Sequence, residues 1–174
     1  IHEPHFTWND EIELLIMNAP PKNNLELRLP NGLINLDLSR PEQRIYSIKT
    51  LFSNLWQASA ENRQDVLQQL REKLGNPILN HTDRRLLTAD EVTALANIGC
   101  CEIGSHSEHH LVLNKHDEAT QRNELVKSKK TLEEILGRPI VSFSYPYGEY
   151  DTKLSQIVAE TPYLIGVTVE AGTL

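Results

Sequence analysis

Apolar positions in the first third of the chain follow two different periods. In WNDEIELLIMN, apolar side chains recur at Ile12, Leu15 and Ile16, a spacing that predicts an amphipathic helix. In LELRLPNGLINLDL they alternate instead, on both sides of a Pro-Asn-Gly sequence. Alternation around a tight turn predicts a β-hairpin, with Asn31-Gly32 as the turn pair.

Two further helices are predicted after the hairpin. Pro41 stands where a first helical turn begins, and that helix is expected to run to about Ser59. A second helix, over residues 61–74, ends at Gly75. We therefore expect residues 1–85 to form a mostly helical insertion or cap that carries the hairpin.

Helices and strands alternate from Leu86 onward. The sequence LLTADEVTALANIG has Thr88 as N-cap with Glu91 three residues later, which is the capping-box spacing, and Gly99 is expected to end this helix. CCEIG follows as a short strand, and a long amphipathic helix, HDEATQRNELVKSKKTLEEILG, is closed by Gly137. Two more strands, IVSFSYPYG and YLIGVTV, enclose the helix YDTKLSQIVAE.

This alternation predicts a parallel sheet with helices packed outside it, so residues 86–174 are expected to form an α/β domain. In such sheets the active site lies at the carboxyl ends of the strands. SHSEHH and SYPYG both stand at that end of a predicted strand. These two motifs are therefore the candidate segments of an active site.

Composition narrows the classes of function. The chain has 174 residues, 39% hydrophobic and 24% charged, with a net charge of −7 and 6% aromatic residues. The negative charge and the scarcity of aromatic side chains argue against a nucleic-acid surface.

The two cysteines, Cys100 and Cys101, are adjacent and therefore poor disulfide partners. The sequence has no apolar run near the roughly 18 residues of a membrane span, and its ends lead us to expect a piece of a larger chain.

Three histidines fall within five residues in SHSEHH. His106 and His110 are four apart, and on a helical turn that spacing places both imidazoles on one face, as zinc sites often require. His109 would then point elsewhere, and Ser107 could bond to the loop backbone and hold both rings. The spacing alone leaves open the alternative of solvated loop histidines.

The second motif ends a strand in Pro-Tyr-Gly. Such a turn could aim backbone N–H groups and the ring of Tyr147 toward the two histidines. The alternative is an ordinary tight turn with a packed tyrosine. Taken alone, the motif does not choose between the two.

Together the motifs resemble a known family. IGSHSEHH, LGRPIVSFSYPYGEYD and the helix between them are similar to the pattern of the polysaccharide deacetylases (NodB homology, carbohydrate esterase family 4) over Leu86–Leu174. The segment from Trp8 to Glu13 is similar to one in the helical insertion of some members. The resemblance implies an α/β fold, namely a partial distorted (β/α) barrel with parallel strands, plus the mostly helical insertion with its hairpin.

The resemblance also implies a function and a site. Members remove N- or O-acetyl groups from glycans with a divalent metal, usually zinc, so an acetylated polysaccharide or amino sugar is the implied substrate. His106 and His110 would be metal ligands, with Ser107 bracing their loop. The backbone N–H of Tyr147 would help to hold the oxyanion, and Pro146 and Tyr147 would shape the substrate groove.

The sequence departs from the family pattern in three places. The aspartate pair that supplies the third metal ligand and the general base is missing, and Asp10, in a helical context, is not assigned that role. The late histidine that acts as general acid is also missing, and Ser144 stands where an arginine often precedes the Pro-Tyr turn. The chain is therefore expected to be a middle piece of an active deacetylase or, alternatively, a catalytically inactive, glycan-binding or regulatory relative. A chance match of the motifs is the remaining alternative.

Several properties stay open at this level. The helical part, residues 8–74, could alternatively serve as an interaction module. A sheet edge left unpaired by a missing first strand would suggest a homodimer. The glycan, the choice between N- and O-deacetylation, and the compartment, bacterial cytoplasm or cell envelope, are not fixed by these residues.

Overall fold

The computed structural model describes residues 6–79 and 84–170. Its contacts divide the chain into two compact units, Ile1–Leu86 and Leu87–Leu174. Among the described residues, no helix is both long enough and apolar enough to cross a membrane. The histidine motif and the Pro-Tyr-Gly motif both belong to the second unit.

The first unit packs three helices with a β-hairpin. Its elements are α1 (Trp8–Asn18), β1 (Leu25–Leu29), β2 (Gly32–Leu36), α2 (Pro41–Leu55) and α3 (Ala60–Lys73). The predicted first helix and the predicted hairpin are confirmed. The apolar faces of these elements share one core, which includes Ile12, Leu15, Leu27, Leu51, Leu55 and Leu70.

The hairpin turn lies one residue earlier than predicted. Leu29 pairs with Gly32 across the hairpin, so the turn residues are Pro30 and Asn31 rather than Asn31-Gly32. The fixed φ of proline suits the first position of a tight turn. Gly32 instead begins β2 with a φ of 132°, which a residue with a side chain rarely adopts.

Helix α2 ends at Leu55, four residues before the predicted end at Ser59. Arg63 explains this early end, because its buried guanidinium donates to the carbonyls of Leu55 and Trp56. Ser59 starts the next helix, since its side chain accepts from the backbone N–H of Asn62. Residues 56–59 therefore connect two separate helices instead of extending α2.

The second unit contains a small parallel sheet with helices in its connections. Its elements are α4 (Ala89–Ala96), α5 (Glu118–Leu136), β3 (Ser142–Ser144), α6 (Thr152–Ala159) and β4 (Ile165–Val167). Phe143 of β3 lies opposite Gly166 of β4 and also forms a parallel bridge with Ser105. The predicted parallel arrangement is confirmed, in the spatial order Ser105, β3, β4.

The described residues do not show a closed barrel. They form two sheets of two strands each, the antiparallel β1–β2 hairpin and the parallel β3–β4 pair. The observed fold is therefore a mixture of helices and short strands. The partial (β/α) barrel stays a prediction.

Most elements of the second unit are shorter than predicted, and β3 and β4 keep only three residues each of the predicted strands IVSFSYPYG and YLIGVTV. The expected strand CCEIG is reduced to an isolated bridge at the next residue, Ser105. Because a strand forms only where a neighbour supplies its hydrogen bonds, the rest of that segment stays irregular. Helix α4 has the predicted capping box but ends at Ala96, where Asn97 closes the last turn, three residues before Gly99.

Helix α5 ends as predicted at Gly137, but it begins at Glu118, two residues after the start of the predicted segment. Asp117 caps its first turn by accepting from the Thr120 N–H at 2.8 Å, and Gly137 ends it with a left-handed φ of 63°. The hydrogen bond from Thr120 lowers the pKa of the Asp117 carboxyl below its usual value. The cap therefore stabilises the helix above the ordinary aspartate pKa, and its contribution is lost as the pH falls through the lowered value.

Candidate functional site

The loop with the histidine motif follows Ser105, at the carboxyl end of the parallel sheet. The rings of His106 and His110 lie with centroids 4.8 Å apart and planes inclined by 62°. The helical turn assumed from their spacing is wrong, because Ser107 and His110 have left-handed φ values of 66° and 52°. An irregular loop, rather than a helical face, brings the two imidazoles together.

Ser107 braces this loop, as the sequence suggested. Its Oγ accepts from the backbone N–H of His110 at 3.0 Å. A residue other than glycine keeps a left-handed φ only where surrounding contacts hold it, and such strain is common at functional sites. The serine hydrogen bond is one of these contacts.

The ring of His106 is oriented by strand β3. Its Nδ1 lies 2.8 Å from the carbonyl oxygen of Ser144, and because a carbonyl can only accept, this nitrogen carries the ring hydrogen. The Nε2 atom then presents its lone pair from an exposed side chain. Metal-binding histidines show this arrangement, with one ring nitrogen held by a backbone carbonyl and the other left for the ion.

The Pro-Tyr-Gly turn reaches the same place. It forms a short 3₁₀ turn, Pro146–Gly148, in which Tyr147 adopts a φ of 60° and a ψ of 3°. The centroid of the Tyr147 ring lies 4.4 Å from that of His110. His106, His110 and Tyr147 therefore form one cluster of rings, whereas Pro146, the first residue of the turn, is buried.

His109 contacts helix α5 instead of this cluster. Its Nδ1 and its backbone N–H lie 2.6 and 2.8 Å from the two carboxylate oxygens of Glu124. One helical turn further on, the Oγ of Ser128 lies 2.7 Å from the Oγ of Ser105. Neither Glu124 nor Ser128 was identified from the sequence. The available signal was a pair of polar side chains four apart on one face of an amphipathic helix.

The described residues offer two candidate ligands for a metal. Among residues 6–79 and 84–170, no group of three or more His, Cys, Asp or Glu side chains is placed to hold an ion. Asp10, which the sequence left unassigned, bonds with Thr7 at the start of α1. The fit to zinc is therefore partial: the two imidazoles suit it, and the other ligands of a tetrahedral site must be supplied from elsewhere.

Aromatic rings support the turn from inside the second unit. The ring of Phe143 is fully buried, with the rings of Tyr145 and Tyr163 centred 5.1 and 5.4 Å from it. Tyr150 packs against Tyr145, and its hydroxyl donates to Glu170 at 2.9 Å. That hydrogen bond raises the pKa of Tyr150, so this tyrosine stays protonated at neutral pH.

A cavity of about 430 Å³ in the second unit is lined by residues 99–103 and 138–140 and includes none of the clustered rings. These residues precede Ser105 and β3, so the cavity lies toward the amino ends of the parallel segments. Ligands of parallel sheets bind at the carboxyl ends. We therefore assign the site to the ring cluster and not to this cavity.

Gly148→Ala is expected to destabilise the second unit more than Gly99→Ala does. Both glycines have a left-handed φ, +72° and +82°, so both changes carry a similar backbone cost, on the order of 1–2 kcal/mol. At Gly148 an added Cβ would also lie 2.3 Å from Val169 Cγ2, whereas at Gly99 nothing lies within 4 Å. Urea unfolding followed by NMR should give free energies of unfolding for the two variants that differ by about 1 kcal/mol or more. An equal loss of unfolding free energy in both variants would contradict the close contact between Gly148 and Val169.

A family model matches most of the chain. The model, described as polysaccharide deacetylase, matches residues 46–166, which are 121 of the 174 residues. The match begins inside α2, so it includes part of the first unit as well as both motifs.

Individual proteins match over shorter lengths. The chain is similar to "Putative polysaccharide deacetylase YxkH" of Bacillus subtilis (strain 168), with 33% identity over 86 residues, which are 49% of this chain and 30% of that protein. It is similar to the solved Streptococcus pyogenes deacetylase PplD in complex with acetate, with 26% identity, coverage of 52% of this chain and 40% of that one, and a TM-score of 0.49. A polysaccharide deacetylase structure from Bacillus cereus gives 23% identity, 64% and 38% coverage, and a TM-score of 0.47. The chain thus spans less than half the length of each.

Proposed function

The chain belongs to the polysaccharide deacetylase family, and we propose that it forms part of a metal-dependent hydrolase that removes acetyl groups from a polysaccharide or an amino sugar. The observation that carries this proposal is the cluster of His106, His110 and Tyr147 at the carboxyl end of the parallel sheet. The substrate is accordingly a carbohydrate with N- or O-acetyl groups.

Zinc is the metal that we assign to this cluster, with His106 through Nε2 and His110 as ligands. A zinc ion bound there would polarise the acetyl carbonyl and lower the pKa of a water molecule in its open position. His106 suits the role because Ser144 fixes its ring through Nδ1. Histidine binds metal as the neutral imidazole, so we expect zinc binding to weaken as the pH falls.

The turn residues are assigned to the substrate. The backbone N–H of Tyr147 would donate to the oxyanion that forms when water attacks the acetyl carbonyl, and a donor of this kind commonly contributes roughly 100-fold or more to the rate. The Tyr147 ring, beside His110, would shield the reacting group from solvent. Pro146, buried at the start of the turn, would keep that ring in place and so shape the substrate groove.

The general base and the general acid are assigned to residues outside this chain. The base would take the proton of the attacking water, and the acid would protonate the leaving amine or alkoxide. The sequence has neither the aspartate pair nor the late histidine of the family. The chain matches 30% of the length of the Bacillus subtilis relative, and we propose that both groups lie in parts of the family domain that this chain does not contain.

Acetate release tests this function directly. The longest natural chain that contains these residues would be incubated with N-acetylated chito-oligosaccharides and, separately, with O-acetylated xylan. We expect release from at least one of them, lost when a chelator removes the metal and restored by added zinc. The absence of release from both substrates in the presence of zinc would contradict the proposal.

A catalytically inactive, glycan-binding relative on the same fold is the alternative. It is favoured by the two-member ligand set of the described residues. It predicts that the same protein binds acetylated oligosaccharide without releasing acetate, with an affinity that does not depend on zinc. Turnover that requires zinc would rule this alternative out.

A further inference from the structure

We propose that Glu124 is a positioning residue for the candidate metal site. From helix α5 it would hold the histidine loop so that the rings of His106 and His110 stay paired, with assistance from Ser128 one helical turn further on. The inference rests on the proposed function, because it takes the paired rings as the zinc ligands.

Glu124 makes two hydrogen bonds to a single loop residue. Its Oε2 accepts from the backbone N–H of His109 at 2.8 Å, and its Oε1 lies 2.6 Å from Nδ1 of the same residue. A carboxylate accepts hydrogen bonds and does not donate them, so His109 is the donor in both. One bond fixes the backbone next to His110, and the other keeps the His109 ring on the helix.

Ser128 makes the matching contact at the other end of the motif. Its Oγ lies 2.7 Å from the Oγ of Ser105, and both side chains are buried. Ser105 directly precedes His106, as His109 directly precedes His110. Helix α5 therefore holds the loop at two points, each next to one of the paired histidines.

The burial of Glu124 indicates a specific role. Its side chain is 3% exposed, whereas that of His109 is 42% exposed. Burial of a carboxylate is unfavourable unless hydrogen bonds compensate it, so an apolar residue would pack here at lower cost. The carboxylate is explained if the loop needs both acceptors, because Ser107 and His110 have left-handed backbones that only surrounding contacts can hold.

Loss of the carboxylate should loosen the rings rather than unfold the helix. A glutamine at position 124 keeps the size and one acceptor oxygen, but its NH₂ group can only donate, so it bonds to Nδ1 of His109 only if that ring changes its tautomer. Groups that orient metal ligands typically contribute 10–100-fold to metal affinity, so we expect Glu124→Gln to weaken zinc binding by about 10-fold or more.

The test measures ring geometry and zinc affinity separately. NMR cross-peaks between ring protons of His106 and His110, whose centroids lie 4.8 Å apart, report the ring geometry in the metal-free chain. Calorimetric titration with zinc reports the affinity. Because the first measurement needs no metal, it tests the positioning role even if the proposed function fails.

Two further variants complete the test. Glu134→Gln is the matched control, since Glu134 is exposed on the same helix and pairs with Lys130 at 3.8 Å. His109→Ala is the second probe in case Glu124→Gln does not fold. It removes a ring that is 42% exposed and one of the two bonds to Glu124, so the core stays intact.

The outcomes separate the two proposals. We expect the unmutated chain and Glu134→Gln to show the cross-peaks and equal zinc affinity, and Glu124→Gln and His109→Ala to lose the cross-peaks and about tenfold in affinity. Cross-peaks retained in the folded variants, or absent from the unmutated chain, would overturn the positioning role. Cross-peaks lost in the variants, while the longest natural chain that contains these residues binds no zinc, would support the positioning role and contradict the metal function.

Discussion

His106→Ala is expected to lower the zinc affinity of the chain by at least about 100-fold, beyond the usual contribution of groups that only orient a ligand. The substitution removes one of two imidazoles whose centroids lie 4.8 Å apart, and a single imidazole holds zinc poorly. His110→Ala should have an effect of similar size. In an active deacetylase that contains this chain, either substitution should abolish acetate release.

Calorimetric titration at neutral pH checks this prediction, with His116→Ala as the matched control from the same unit. The unmutated chain should bind zinc weakly, because residues 6–79 and 84–170 present no group of three ligands. Sub-micromolar binding that His106→Ala removes would instead indicate that a carboxylate or a second chain completes the site. Equal affinity in the unmutated chain and in His106→Ala would contradict the ligand assignment.

Phe143→Ala is expected to destabilise the second unit by about 3–5 kcal/mol. Phe143 is fully buried at the centre of β3, between Ser105 and Gly166. Its ring packs with those of Tyr145 and Tyr163. Alanine would remove this apolar surface and leave a cavity behind both motifs, where the neighbouring strands cannot collapse fully.

Urea unfolding followed by NMR signals of the second unit measures this loss. Tryptophan fluorescence would not, because Trp8 and Trp56 both belong to the first unit. Val126→Ala is the control, since Val126 is 54% exposed on α5 and its truncation should change the free energy of unfolding by no more than about 0.5 kcal/mol. A loss below about 1 kcal/mol for Phe143→Ala would contradict its place in the core.

Local signals predicted the helices well. The capping box of Thr88 and Glu91 and the left-handed end at Gly137 depend on residues within one turn, so the sequence contains the whole interaction. The strand predicted for CCEIG failed because a parallel strand depends on partners far along the chain. The hairpin register shifted because Pro30 took the first turn position.

The sequence predicted that the two imidazoles lie close together, but it predicted the wrong backbone conformation for them. The four-residue spacing suggested a shared helical face, yet Ser107 and His110 adopt left-handed backbones that no local rule predicts for these residue types. Two contacts of the loop come from Glu124 and Ser128, which lie 15 and 23 residues from their partners. Such contacts form only once the helix packs against the loop, so the sequence alone does not show them.

The homodimer that an unpaired sheet edge would suggest stays a prediction.

We propose that His106 and His110 bind one zinc ion between them. Anomalous diffraction at the zinc absorption edge, from crystals of the chain soaked in zinc, tests it most directly. We expect an anomalous peak at about 2.0–2.1 Å from Nε2 of His106 and from a ring nitrogen of His110. Crystals in which zinc is bound only elsewhere, with no peak between the two rings, would contradict it.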